Sequence, residues 1–425
     1  MHQIEKFEID GFWDTHHVKA PLHRDVTFFI GPNGTGKTTL INLLAAALTG
    51  DFFTLNKIPF KKVIITLTPT EDSKKFSPSI TITKSRKNER AVDIIEYKIK
   101  KTSSIELKFS MDDMDDFIAR RAEMHRRYLT DYYRKISSGV APVLAELVQV
   151  QWLSVHRTTI VEPGRDERPY ESSVDRKLEA LSNDLVRYFA TFSKQKDEKV
   201  RQFQEYIFSS LLDQSNLSQL FDQKRDRINT NQMTMADIFR ELHVTNPEID
   251  DQISSYFSRA NDILSRPKSA TFMVDDMAIL IGLRRIEGVI EQWRRLQEQL
   301  KEIFAQRDRF ILTTNELLQR KEMEISDSNE LVFKSRTGKA LTPQMLSSGE
   351  KQLLILLSEV LLQRQTPSVF ITDEPELSLH VSWQEKLVGS LRNLNSHAQI
   401  IAATHSPDIV GALSDRAIDM ESIIP

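Results

Sequence analysis

Eight residues, Gly31-Pro32-Asn33-Gly34-Thr35-Gly36-Lys37-Thr38, carry the spacing G-x-x-x-x-G-K-[ST] with which a backbone wraps a phosphate. The apolar run Val26–Ile30 before them reads as a buried strand, and residues 39–48 after them read as a helix. Glycines in such a turn let successive N–H groups converge at the helix N-terminus, where the helix dipole also favours an anion. The expected cradle is Asn33, Gly34, Gly36, Lys37, Thr38 and Thr39. Lys37 would reach the β- and γ-phosphates of ATP, and the Thr38 hydroxyl would hold Mg²⁺.

Three later stretches could do matching chemistry. Leu346-Ser347-Ser348-Gly349-Glu350-Lys351-Gln352 opens a helix, and Ser347 and Gly349 stand where hydroxyl and N–H groups are free to bind an anion. A second phosphate loop for the same nucleotide would be redundant. Its useful place is across a dimer interface, on the γ-phosphate of the opposite subunit. Next, the strand-like run Ser368–Asp373 ends in two carboxylates. Asp373 suits Mg²⁺, directly or through its water shell, and Glu374 would polarise an attacking water. The residues from Pro375 to His380 form a turn into the following helix. Lastly, residues 399–403 form a strand that runs into Thr404-His405-Ser406-Pro407, where His405 could sense or bridge the γ-phosphate. Each feature is weak alone, but all fall in order at strand ends or helix starts.

The remaining chain must position them. Strand alternation runs through residues 1–30, broken by Gly11-Phe12-Trp13-Asp14-Thr15-His16-His17. Phe12 reads as core, whereas Trp13 or His17 could stack on adenine. Residues 62–67, 79–83, 94–98 and 105–109 look like short strands of an antiparallel sheet. From 111 to 141 the chain turns charged and helical, with Arg120, Arg121, Arg126, Arg127, Arg134 and Lys135 among Tyr128 and Tyr132. Such a face could grip a nucleic-acid backbone, but a solvated helix with acidic partners such as Asp115, Asp116 and Glu123 is the stronger reading. Residues 148–155 form a strand holding Gln149 and Gln151, and a polar segment follows over 157–169. Helical periodicity covers 174–212, 235–242 and, longest, 279–324, before a strand returns at 330–334.

Composition sets the outer limits. A chain of 425 residues exceeds one ordinary core, so two domains or one large insertion are expected. With 57 basic against 60 acidic residues the net charge is −3, so any polyanion site must be local. The absence of cysteine removes disulfides, thiolate zinc sites and thiol nucleophiles together. No apolar run reaches the roughly 18 residues of a membrane span, and the expected location is the cytoplasm.

The four stretches GPNGTGKT, LSSGEKQ, DEPELSLH and ATHSP resemble the motifs of an ABC-type ATPase head, in the branch of the SMC, RecF and OLD-type ATPases. The resemblance covers roughly 1–110 and 330–425. It implies an α/β fold, an SMC/RecF-like P-loop head whose two halves, 1–110 and 330–425, flank a helical, partly coiled-coil insertion at 111–329 with a head strand near 148–155. It implies ATP and Mg²⁺ as ligands, with Lys37 and Thr38 on phosphate and metal, Ser347 on the partner's γ-phosphate, Asp373 on metal, Glu374 on water and His405 as the switch. Gln151 is the candidate glutamine-loop metal ligand, with Gln149 close by and neither in the usual surroundings. The insertion is similar in length to those of anti-phage ATPases such as PtuA of Septu and AriA of PARIS. The chain runs about twenty residues past His405, so no nuclease domain of the OLD type is expected there. The resemblance thus implies a self-associating ATPase, dimerising head to tail, that senses a phage-derived trigger and controls a separately encoded toxic effector, a nuclease. A RecF-like clamp on duplex DNA is the alternative, and a transporter subunit a distant third.

Overall fold

The computed structural model describes residues 1–70, 76–85, 93–110, 126–154, 173–212, 228–241, 246–267 and 271–424. Arg120, Arg121 and the polar segment 157–169 lie outside the described residues, as do the side chains of Arg126, Arg127, Arg134 and Lys135.

β1 (His2–Phe12) buries alternate residues and pairs antiparallel with β2 (His16–Pro21). β3 (Val26–Ile30) is buried almost throughout, as a strand covered on both faces must be, and it leads into α1 (Lys37–Thr49). After α2 (Phe52–Lys57) come β4 (Lys62–Pro69), β5 (Ser79–Ser85), β6 (Ile94–Lys100) and β7 (Glu106–Ser110). These complete an antiparallel sheet in the order β2-β1-β4-β5-β6-β7, at the four places where the sequence alternates. α3 (Arg126–Leu147) feeds β8 (Val150–Ser154). Among the described residues four helices follow: α4 (Ser173–Ser210), α5 (Ile228–Glu241), α6 (Pro247–Ser265) and α7 (Val274–Leu317). A small antiparallel sheet then forms from β9 (Lys321–Ile325), β10 (Leu331–Ser335) and β11 (Ala340–Leu341). The chain closes with α8 (Ser348–Leu361), β12 (Ser368–Asp373), α9 (Val381–Leu394), β13 (Ala398–Ala403), α10 (Pro407–Val410), β14 (Ala417–Asp419) and α11 (Met420–Ile423).

The helix expected over 279–324 stops at Leu317, and its last residues belong to β9 instead. Asn315 explains the break. Its Oδ1 accepts from the Met323 N–H at 2.7 Å and its Nδ2 donates to the Met323 carbonyl at 3.0 Å, so a side chain folds the strand back against the helix end. Met323 is fully buried there.

β3, β8, β12, β13 and β14 form one parallel sheet in the order β14-β3-β13-β12-β8. α1 is buried on nearly every side, in one apolar cluster with residues of this sheet (Val369, Ile371, Ile401) and of the antiparallel one (Phe7, Ile65, Ile82). Each fully buried Leu or Ile of that helix contributes about 1.5–3 kcal/mol. Gln399, fully buried on β13, stitches the two sheets: its Oε1 accepts from the Ile4 N–H and its Nε2 donates to the Ile4 carbonyl, both at 2.8 Å.

The chain divides into two compact units, Met1–Val186 with Arg309–Pro425, and Arg187–Asp308. Of the stretch 111–329 that the sequence assigns to the insertion, the described residues 126–154, 173–186 and 309–329 fall in the first unit. Within the second unit, Phe192 meets Phe304 and Phe203 meets Trp293, with ring centroids 6.5 and 5.3 Å apart. The order of the pairs makes α4 and α7 antiparallel there. Ile238 of α5 joins Ile290 and Leu296 in the same core.

Candidate active site

Parallel pairing brings the carboxyl ends of β3, β13 and β12 to one edge, where open α/β sheets bind ligands. Backbone bonds lock the ends together: the Thr404 N–H donates to the Phe29 carbonyl at 3.1 Å, and the Glu374 N–H to the Ala403 carbonyl at 2.9 Å. The loop 31–36, the carboxylates at the end of β12 and His405 after β13 therefore converge, although Lys37 and His405 are 368 positions apart in sequence.

Lys37 is buried and its Nζ donates to the Gly31 and Pro32 carbonyls, both at 2.8 Å, holding the loop in a curl around its own ammonium. Burial lowers the Lys37 pKa below its ordinary value, against the pull of the Glu374, Asp373 and Glu376 carboxylates. Thr38 Oγ1 donates to Asp373 Oδ1 at 3.2 Å. A hydroxyl and a carboxylate oxygen side by side form a hard donor set of the kind Mg²⁺ prefers. Gly36 has φ +90°, and a Cβ there would lie 2.7 Å from the Trp13 ring. Its backbone thus faces the loop with an aromatic wall directly behind. These features fit a nucleoside triphosphate with its magnesium ion. Asn33, Gly34 and Thr39 lie on the same loop and first helical turn, as the spacing requires.

Trp13 stacks on the fully buried Phe12, with centroids 4.9 Å apart, which confirms Phe12 as core. His17 instead pairs with Asp10 across β1 and β2. Of the two aromatic candidates, Trp13 is the one at the loop.

Glu374 has φ +47°, a left-handed conformation that costs a non-glycine residue about 1–3 kcal/mol and recurs at functional sites. His405 Nε2 stands 3.9 Å from Glu374 Oε1. Ser347 caps α8 in a capping box: Glu350 Oε2 accepts from the Ser347 N–H at 2.7 Å and from its hydroxyl at 2.8 Å. Lys321 Nζ, on β9, meets the same oxygen at 2.5 Å. A Cβ on Gly349 would collide with the Ser378 carbonyl, so glycine is needed there to let the turn after β12 approach. Sequence reasoning gave that glycine to anion binding alone.

Gln151 stands apart, which corrects its place among the metal ligands. It pairs in register with Phe370, whereas Asp373 pairs with Ser154, so Gln151 lies three positions, about 10 Å, back from the edge. Its Nε2 donates to Glu359 on α8, which also pairs with Lys177. The side chain satisfies a buried carboxylate. Sequence reasoning missed Glu359 and Glu376 as well; two acids in a chain with 60 acidic residues carry no signal until their partners are known.

A family model for an AAA domain, putative AbiEii toxin, Type IV TA system, matches residues 26–411, from β3 through α10. The chain belongs to this family. Two curated proteins are similar over part of the chain. One is the DNA repair protein RecN of Rickettsia bellii (strain RML369-C), 25% identical over 137 residues, 31% of this chain and 23% of RecN. The other is the retron Vc95 probable ATPase of Vibrio cholerae serotype O1 biovar El Tor, 27% identical over 144 residues, 31% of this chain and 26% of that ATPase. The matches span about a quarter of those relatives. Among solved structures, the Smc head domain with an extended coiled coil from Pyrococcus furiosus, bound to the C-terminal domain of ScpA, aligns over 96% of this chain and 91% of its own, at 12% identity and TM-score 0.44. The α/β P-loop head with a helical insertion rests on the sheet order and loop placement described above. None of the described helices is long and apolar enough to cross a membrane.

Proposed function

We propose that this AAA-domain protein hydrolyses ATP to ADP and phosphate at a site completed by a second copy, and that it serves anti-phage defence by holding or releasing a separately encoded toxic effector, a nuclease. The convergence of Lys37, Thr38, Asp373, Glu374 and His405 at one sheet edge carries the chemical part. Similarity to a retron ATPase and the AbiEii description of the family support the biological part.

In this reading, loop N–H groups and Lys37 bind the phosphates, and Lys37 trades its two carbonyl partners for phosphate oxygens. Thr38 and Asp373 would hold Mg²⁺, which neutralises charge on the β- and γ-phosphates. Glu374 orients and deprotonates the water, and His405 contacts the γ-phosphate beside it. Ser347 of the opposite copy closes the site head to tail, and its hydroxyl leaves Glu350 to do so. Trp13 offers the aromatic face for adenine.

Two measurements test the two parts. Phosphate release by the wild type, abolished in Lys37→Ala together with nucleotide binding, tests the chemistry; turnover surviving Lys37→Ala refutes it. Mass spectrometry of what co-purifies with protein expressed with its flanking genes tests the biology. A stoichiometric second protein supports effector control, and an ATPase that purifies alone from its own operon counts against it. Similarity to RecN favours one other reading, a DNA-repair clamp. It requires strongly salt-dependent duplex binding, weakened by changing Arg120, Arg121, Arg126 and Arg127 to Glu.

A further inference from the structure

Glu376 lies two residues past Glu374 on the turn after β12, and the four motifs leave it without a task. Its Oε1 collects three donors from three successive residues after β13: Thr404 Oγ1 at 2.7 Å, the His405 N–H at 2.8 Å and the Ser406 N–H at 3.2 Å. Its Oε2 is buried without a hydrogen bond, so the carboxylate is turned to serve this one segment. A second tie joins the same two pieces of chain: Ser406 Oγ donates to Gln384 Oε1 at 2.6 Å, and Gln384 Nε2 donates to the Leu379 carbonyl at 2.9 Å.

The consequence is geometric. The Glu374 backbone is anchored to Ala403, the last residue of β13, and the His405 backbone is anchored to Glu376, two residues beyond Glu374. The two anchors cross, so the spacing between the Glu374 carboxylate and the His405 imidazole depends on how far the Glu376 side chain reaches. Amide N–H groups just past a strand end would otherwise bond to water and leave the segment free to shift. A shift of about 1 Å there is enough to cost on the order of 100-fold in rate.

We propose that Glu376 is a positioning residue for ATP hydrolysis, acting through the His405 backbone to set the imidazole against Glu374 and the γ-phosphate. This rests on the ATPase reading above. Length, rather than charge, is the property it needs, because three donors converge on one oxygen.

Two variants separate these properties. Glu376→Gln keeps the reach and an acceptor oxygen but no charge; Glu376→Asp keeps the charge and falls short by one carbon–carbon bond, about 1.5 Å. Steady-state phosphate release and the affinity for a fluorescent ATP analogue are measured for both, for His405→Ala and for Glu376→Asp with His405→Ala. Glu376→Asp is expected to lose kcat by about 100-fold with ATP affinity retained, Glu376→Gln to stay within about threefold of wild type, and the double variant to be no slower than His405→Ala. Full activity in Glu376→Asp, a loss in Glu376→Gln as large as in Glu376→Asp, or losses that multiply in the double variant would overturn the proposal. A wild type that binds ATP but releases no phosphate would instead refute the ATPase reading, and the proposal with it.

Discussion

Gly36→Ala measures how tightly the phosphate loop is backed by its aromatic wall. The new Cβ would lie 2.7 Å from Trp13 Cη2, 2.9 Å from Cζ2 and 3.3 Å from Phe12 Cε1. Carbon atoms settle at about 3.5–4.0 Å, so the indole must retreat by about 1 Å. The indole is stacked at 4.9 Å on a fully buried Phe12, and the Trp13 backbone N–H donates to the Pro59 carbonyl at 3.2 Å, which ties the main chain that carries the ring. Overpacking of this kind costs about 1–3 kcal/mol. Alanine at φ +90° adds about 1–2 kcal/mol whatever its surroundings. The total is therefore about 2–5 kcal/mol in the wild-type background, and the backbone part with the lesser Phe12 contact should remain once Trp13→Ala has removed the indole. The assay is a thermal melt, without nucleotide, of four proteins: wild type, Gly36→Ala, Trp13→Ala and the double variant. Because the chain has two compact units, the melt is read as a difference of midpoint differences rather than as one unfolding energy. Gly36→Ala should lower the midpoint more when Trp13 is present. An equal drop in both backgrounds would refute the contact and, with it, the placement of Trp13 behind the loop.

Three further outcomes follow from the same geometry. Glu374→Gln should still bind ATP, lose at least about 100-fold in turnover and accumulate as a two-copy complex in light scattering; hydrolysis at the wild-type rate would remove Glu374 from the water. Burial pushes the Glu350 pKa up, but bonds from Lys321 and Ser347 outweigh it and hold the group below its ordinary 4.5. A depressed carboxylate contributes stability that is present above the unfolded value and lost as pH falls through the folded one, so the wild type should lose midpoint faster than Glu350→Gln from about pH 5 to about pH 3. Parallel curves would show that Glu350 contributes nothing. Gln151→Leu should cost about 1–3 kcal/mol by removing a partner from buried Glu359, with the magnesium dependence of turnover unchanged; an altered magnesium requirement would return Gln151 to the metal.

Some of this was legible in the sequence, for physical reasons. β3, β12 and β13 are covered on both faces, so they read as unbroken apolar runs, and their chemistry sits on the next residue because ligands gather at the carboxyl edge. The antiparallel strands showed through their alternation, as in Val63, Ile65 and Leu67 of β4. Gln151 misled because a strand register is set by pairing: only opposite Phe370 does it become clear that the edge lies three residues on. α6 escaped the periodicity scan although its start was signposted, with Asn246 capping the Glu248 N–H and Pro247 in the first turn. The long helix overran into β9 because its pattern continued to Glu324, while the Asn315 side chain that ends it can be identified only from the fold.

The motifs and the ties between them differ in kind. A motif is a run of neighbours, so its spacing survives in the sequence. The ties join Thr38 to Asp373 across 335 positions and Glu376 to His405 across 29, and neither residue type announces its partner. Glu376 shows why this matters for function. In sequence it is one acid in a turn beside the two carboxylates, and the chemistry can be assigned without it. Only in the fold does its bond to the His405 backbone appear, and with it the proposal that its reach sets the distance between Glu374 and His405. The residues proposed to do the chemistry were therefore easier to find than those proposed to set its geometry. That ordering is expected wherever a parallel sheet brings the active groups together from distant strand ends.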